Sequence, residues 1–81
     1  MRREVVYEKL TDIFRDVFDD PNIQLRPDMT AGDISDWDSS NHINLILAAE
    51  STFGVRFNIS EVESMRAVGD FVDLIQKHLP A

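Results

Sequence analysis

The stretch Asp38-Ser39-Ser40-Asn41-His42-Ile43-Asn44-Leu45-Ile46-Leu47-Ala48-Ala49-Glu50-Ser51-Thr52-Phe53-Gly54 decides the fold of this chain. Ile43, Ile46, Leu47 and Phe53 recur in it at helical spacing, which gives a helix one apolar face to bury. Asp38 or Ser39 is a suitable N-cap, because a short side-chain oxygen can take an unpaired N–H of the first turn. Gly54, directly after the last apolar residue, is the expected C-terminal stop.

Working outward, Val6, Leu10, Ile13 and Val17 form a second apolar stripe, widened by Phe14 and Phe18. It predicts an amphipathic helix from about Arg3 to Phe18. Asp19-Asp20-Pro21 is expected to end that helix, since proline disfavours helical geometry in the residue before it. From Pro21 to Asp38 the pattern is broken by Pro21, Pro27 and Gly32, and reads as a loop pinned by Ile23, Leu25, Met29 and Ile34. The loop is longer than most connections, so a short helical turn inside it is expected. Downstream, Ser60 and Glu63 have the spacing of a capping box for a short helix, with Ile59 and Val62 as its apolar contacts. Val68, Phe71, Val72, Ile75 and Leu79 mark one face of a last helix, closed by Pro80. The expected architecture is all-α, a four-helix bundle of three longer helices and one short one, forming a single domain over residues 1–81.

Composition narrows the function. Eighty-one residues support one thin core, and the absence of cysteine excludes disulfides and Cys-based zinc or iron–sulfur sites. Met1-Arg2-Arg3-Glu4 opens on charge rather than on an apolar run, and no stretch reaches the length of a membrane span. A soluble, cytoplasmic protein without stable membrane insertion is expected. Fifteen acidic residues against eight basic ones give a net charge of −7. Such a surface repels nucleic-acid phosphates and favours basic partner surfaces. The acid is densest just before Ser39, where Asp28, Asp33, Asp36 and Asp38 are opposed only by Arg26.

The segment Asp36-Trp37-Asp38-Ser39-Ser40-Asn41-His42 carries the candidate chemistry. A serine opening a helix is commonly just a cap. The same position also suits a phosphodiester, because the first turn presents free N–H groups and the positive end of the helix dipole. Asp38, Ser39 and His42 have the composition of a hydrolase triad. Neighbours on a single helical turn supply neither an oriented relay nor oxyanion donors, however, and no nucleophile-elbow sequence is present. No catalytic residue is therefore expected, and His42 reads as a partner-facing or solvated side chain. Asp33, Asp36 and Asp38 offer oxygen ligands, but a calcium loop starting at Asp36 would have Asn41 at its glycine position and Leu47 at its terminal glutamate. No metal site is expected. Trp37 reads as an anchor partly buried against the following helix.

Taken together, Asp38-Ser39, Ile43, Leu45-Ile46-Leu47-Ala48, Glu50 and Phe53-Gly54 resemble the core of acyl carrier proteins. Val68-Gly69-Asp70-Phe71-Val72 resembles the Val-Gly-Asp segment that opens the family's last helix. The resemblance implies a monomeric, non-catalytic carrier whose Ser39 bears 4′-phosphopantetheine derived from coenzyme A, with Asp38 part of the motif that the transferase recognises. The arm's thiol would hold an acyl group as a thioester. Implied partners are a phosphopantetheinyl transferase and acyl-loading and acyl-transferring enzymes with basic docking surfaces. They would meet Asp36, Trp37, Ser40, Asn41, His42, Ile43, Leu47 and Glu50. Two departures stand out. Ser40 replaces the usual leucine, and Glu50 is the one acid on a helix otherwise carrying Asn41, His42, Asn44 and Ser51. Both point to a specialised lipid or secondary-metabolite pathway. A peptidyl or aminoacyl carrier is the nearest alternative, and a helical interaction module without a prosthetic group is the alternative of another class.

Overall fold

Each apolar stripe finds its partner across a single core. The computed structural model describes residues 2–34 and 36–79. In it α1 spans Arg3–Val17, α2 Ser39–Phe53, α3 Ile59–Ser64 and α4 Val68–His78, with a 3₁₀ turn at Ala31–Asp33. Val6, Leu10, Ile13 and Phe14 of α1 enter the core with Leu45, Ile46, Ala49 and Phe53 of α2 and Val68, Phe71, Val72 and Ile75 of α4. The expected bundle of three longer helices and one short one is what forms, and the 3₁₀ turn is the helical turn anticipated within the long loop. Ile23 and Met29 pin that loop with buried side chains, whereas Leu25 and Ile34 are only partly covered.

Three local expectations are corrected. Within α2 the buried face is Leu45, Ile46, Ala49 and Phe53, while Ile43 and Leu47 are 55% and 58% exposed. The helix is apolar on two sides, and spacing alone does not say which side meets the core. Secondly, α1 ends where Asp19-Asp20-Pro21 was expected to end it, but Asp19 rather than Pro21 makes the turn. Asp19 adopts a left-handed φ of 52°, and the N–H groups of Asp19 and Asp20 donate to Asp16 and Arg15 carbonyls at 3.4 and 3.0 Å. That is a Schellman termination in which an aspartate fills the position glycine usually takes. Thirdly, the capping box of α3 is Asn58 with Glu61 rather than Ser60 with Glu63. Glu61 N–H donates to Asn58 Oδ1 at 2.8 Å, and Asn58 N–H donates to Glu61 Oε1 at 3.1 Å. Ile59, expected as a core contact, is 77% exposed. Pro80, expected to close the last helix, lies outside the described residues.

The loop is fastened to α4 by backbone. Val68 N–H donates to Met29 O at 2.8 Å and Gly69 N–H to Pro27 O at 2.9 Å, so loop carbonyls satisfy the first free donors of the helix. A Cβ at Gly69 would stand 3.0 Å from Pro27 O, which explains why a residue without one occupies this helical position. Asp70 completes the junction by accepting the Arg66 and Ala67 N–H groups at 3.1 and 3.2 Å. The long loop is thereby held across the bundle, and its last residues deliver Trp37 and Asp38 to the start of α2.

Candidate functional site

The site is built at the N-terminus of α2. Asp38 is the cap, with its Oδ1 accepting Asn41 N–H at 2.9 Å and its carbonyl accepting His42 N–H at 2.8 Å. Ser39 is therefore the first helical residue and not the cap. Its side chain is exposed, and its hydroxyl has no hydrogen-bond partner among the described residues. The Ser39 and Ser40 N–H groups likewise have no acceptor among those residues. A nucleophilic oxygen and two free amide donors thus face solvent at the positive end of a fifteen-residue helix. The competing reading, in which the serine merely caps the helix, is taken over by its neighbour.

Ser39 opens onto a groove of about 640 Å³ lined by Ala31, Trp37, Asp38, His42, Ile43, Val62, Glu63, Met65 and Arg66. One wall is the start of α2 and the loop before it; the other is α3 and the residues that follow. Trp37 is half-buried and rests edge-on against Phe14 of α1, with ring centroids 5.3 Å apart. It also packs on Phe18 at 6.4 Å and stacks on His42 at 6.0 Å. The expected partial burial against α2 holds, but α1 carries the other face of the ring.

His42 differs most from its sequence reading. It is half-buried and bonded rather than solvated. Trp37 Nε1–H donates to His42 Nδ1 at 3.1 Å, and His42 Nε2 lies 3.4 Å from the Val62 carbonyl. With both ring nitrogens engaged, neither is free to take a proton from Ser39, and the triad composition comes to nothing chemically. Asn41 also turns inward, its Nδ2–H donating to Asp36 O at 2.7 Å. Glu50 lies roughly 16 Å along the helix axis from Ser39. Its Oε2 accepts Phe57 N–H at 2.9 Å and fastens the chain that follows Gly54. Ser40, Ile43 and Leu47 remain exposed on α2, and Asp36 on the loop before it. Sequence reasoning placed residues on the α2 wall and missed Met65, Glu63 and Arg66 opposite. The one signal for them was that residues 55–66 form a charge-neutral stretch in an acidic chain.

The α3 wall is tied to α4 through Glu61. His78 Nε2 lies 2.8 Å from Glu61 Oε2, and Lys77 Nζ lies 3.4 Å from the same oxygen. The Asn58 N–H bond, reinforced by His78 and Lys77, holds the Glu61 carboxyl down at about 2. A carboxylate with a depressed folded-state pKa stabilises the fold above its unfolded pKa, and that contribution disappears as pH falls through the folded value. The expected loss therefore lies between about pH 4.5 and pH 2. Thermal melts across this range should show a steeper acid decline in Tm for the native chain than for Glu61→Gln. Parallel declines would remove Glu61 from the account.

Among the described residues no group of three or more His, Asp or Glu side chains is placed to hold a metal ion. No helix there is long and apolar enough to cross a membrane. No family model matches the chain. The chain is 33% identical over 75 residues to an acyl carrier protein from Acidothermus cellulolyticus, covering 93% of this chain and 89% of that one. It is 28% identical over 81 residues to an acyl carrier protein from Coprothermobacter proteolyticus, covering 98% and 96% of the two. The solution NMR structure of a holo acyl carrier protein from Geobacter metallireducens superposes with a TM-score of 0.85 at 41% identity, over 90% of this chain and 84% of that one.

Proposed function

Because this chain belongs to the acyl carrier protein family, we propose that Ser39 is its 4′-phosphopantetheine attachment site and that it carries acyl intermediates for a specialised lipid or secondary-metabolite pathway. The observation that carries the reading is the exposed, unpartnered Ser39 hydroxyl at the first position of α2, freed by the Asp38 cap. Residues 1–81 are read as one carrier unit. Relatives that match along 89% and 96% of their own length support this.

The residues present fit the arm. The Ser39 and Ser40 N–H groups and the α2 dipole favour an anionic phosphodiester at Ser39. Arg66, the one basic residue lining the groove, adds positive charge on the far wall. Trp37, Ile43, Val62 and Met65 give the groove an apolar surface along which a pantetheine chain could lie. When bound, the group supplies a thiol that holds cargo as a thioester. The chain's own part is to present it, since carriers of this family are not enzymes.

Docking of the transferase and of acyl-loading and acyl-transferring enzymes is assigned to the exposed Ser40, Ile43 and Leu47, with Asp36 beside them. The single α2 carboxylate, Glu50, already accepts Phe57 N–H. Acidic steering of basic partners near Ser39 then falls to Asp36, Asp38 and Glu63. A neutral, partly apolar docking helix supports a dedicated partner set over a general one. We place this carrier in the cytoplasm as a monomer.

The reading is tested by incubating the chain with coenzyme A and a broad-specificity phosphopantetheinyl transferase. Intact mass is expected to rise by one phosphopantetheinyl group. No gain with any such transferase would favour a helical interaction module instead. Aminoacyl in place of acyl cargo on protein isolated from its host would favour the peptidyl-carrier alternative.

A further inference from the structure

We infer that Arg66 and Trp37 hold the 4′-phosphopantetheine arm in the groove beside Ser39, the Arg66 guanidinium taking the phosphodiester while Trp37 and Met65 take the pantetheine chain. The inference rests on the proposed attachment at Ser39. It adds a resting place for the arm and names the residue that sets its direction.

Arg66 is placed for an anion. It is exposed, and among the described residues no carboxylate lies within salt-bridge distance of its guanidinium. Arg3, Arg26 and Lys77, by contrast, are paired with Asp73, Asp28 and Glu61. The Arg66 backbone is meanwhile fixed. Its N–H and that of Ala67 donate to Asp70 Oδ2 at 3.1 and 3.2 Å, and the Val68 N–H donates to Met29 O at 2.8 Å. The free charge is therefore carried by a side chain anchored at a rigid junction. The other charged residues lining the groove are Asp38 and Glu63, and Asp36 stands just before Trp37 on the loop. A phosphodiester at Ser39 is repelled from that loop side and drawn to the far wall. Turned the other way, along α2, it meets no cation, because α2 has neither lysine nor arginine. A guanidinium suits the task, since it can give two parallel N–H bonds to phosphate oxygens.

Trp37 supplies the second contact. Its ring is held by Phe14, Phe18 and His42, and its one N–H is already given to His42 Nδ1 at 3.1 Å. What it offers the groove is thus apolar surface rather than a donor. Met65, half-buried in the groove lining, adds a flexible thioether that adapts to irregular contacts. Neither contact has to be strong. A group tethered at the edge of the groove has an effective concentration on the order of millimolar, so contacts too weak to capture free pantetheine still keep the arm in place.

The test compares ¹H–¹⁵N NMR spectra of the full chain before and after loading from coenzyme A, with intact mass confirming the gain. Trp37 is the single tryptophan, so its indole N–H gives one signal. On loading, that signal and the Met65 and Arg66 amides are expected to shift together with Ser39 and Ser40. In Arg66→Gln, compared with its own unloaded form, the shifts at Trp37 and Met65 should be mostly lost while the mass gain is kept. Lys9→Gln removes the same charge from an exposed position on α1 and should leave them at native size. Added salt should shrink the native shifts towards those of Arg66→Gln, because exposed charges are screened. Shifts confined to Ser39 and its neighbours, or running along Leu47 and Ser51 instead, would overturn the inference and leave the attachment site standing. Equal losses in Arg66→Gln and Lys9→Gln would overturn it too, by assigning the effect to net charge. A chain that gains no mass has no arm to hold, and both readings fall together.

Discussion

Ser39→Ala is expected to show no mass gain after incubation with coenzyme A and a phosphopantetheinyl transferase, whereas the native chain and Ser40→Ala each gain one phosphopantetheinyl group. The expectation is all-or-none because Ser39 Oγ is the atom that would form the phosphoester bond. Loss of modification in this variant cannot be blamed on unfolding. Ser39 is exposed, the α2 cap is Asp38, and alanine is the best helix former at a helical position. Stability should stay within about 0.5 kcal/mol of the native chain, as for surface substitutions away from caps and cores. Ser40 is also exposed and only one residue on, but along a helix each step turns the side chain by about 100°. It therefore offers a hydroxyl of the same chemistry in a different direction, which makes it the sharper control. A gain that persists in Ser39→Ala would move the tether elsewhere.

The resemblance read from Asp38-Ser39 and Val68-Gly69-Asp70 marked the exposed first serine of α2, the proposed tether, and the start of the last helix without coordinates, because both rest on local features. These are a capped helix start and a junction where a glycine is needed. What stayed illegible was tertiary. Ile43 and Leu47 follow helical spacing as faithfully as Ile46 does, and only the positions of α1 and α4 decide that they face solvent. Likewise His42 carries no sequence mark of its bond to Trp37, five residues back, or of its approach to Val62, twenty residues on. The expected stop at Asp19-Asp20-Pro21 held, but by another device: Asp19 turned the chain before the proline was reached. Glu50 shows how a resemblance can mislead at the level of one side chain. It keeps the family's position while its carboxylate is bound within the protein.

The second large effect lies in the core, and it bears on the site because one ring supports both. Phe14 is fully buried, with its ring centroid 5.3 Å from Trp37, 5.8 Å from Phe18 and 6.3 Å from Phe71. It therefore joins α1 to α4 and also forms the surface on which Trp37 lies. Phe14→Ala should cost about 3–5 kcal/mol, the sum of lost transfer energy and the cavity left behind. A chain of this size has a total stability of about 4–12 kcal/mol. The variant should therefore unfold at a far lower urea concentration or be partly unfolded in buffer. Trp37 fluorescence gives a second reading. With its edge-on partner removed, the indole should become more exposed and its emission should shift to longer wavelength, even where circular dichroism still reports helix. Leu10→Ala supplies the comparison, being equally buried on α1 but outside these ring contacts. It should lower stability by a similar about 2–5 kcal/mol while leaving the emission of the folded state unchanged. If both variants shift the emission alike, Trp37 is responding to general loosening of the core. If Phe14→Ala alone does so, the wall of the Ser39 groove is held up from beneath by α1.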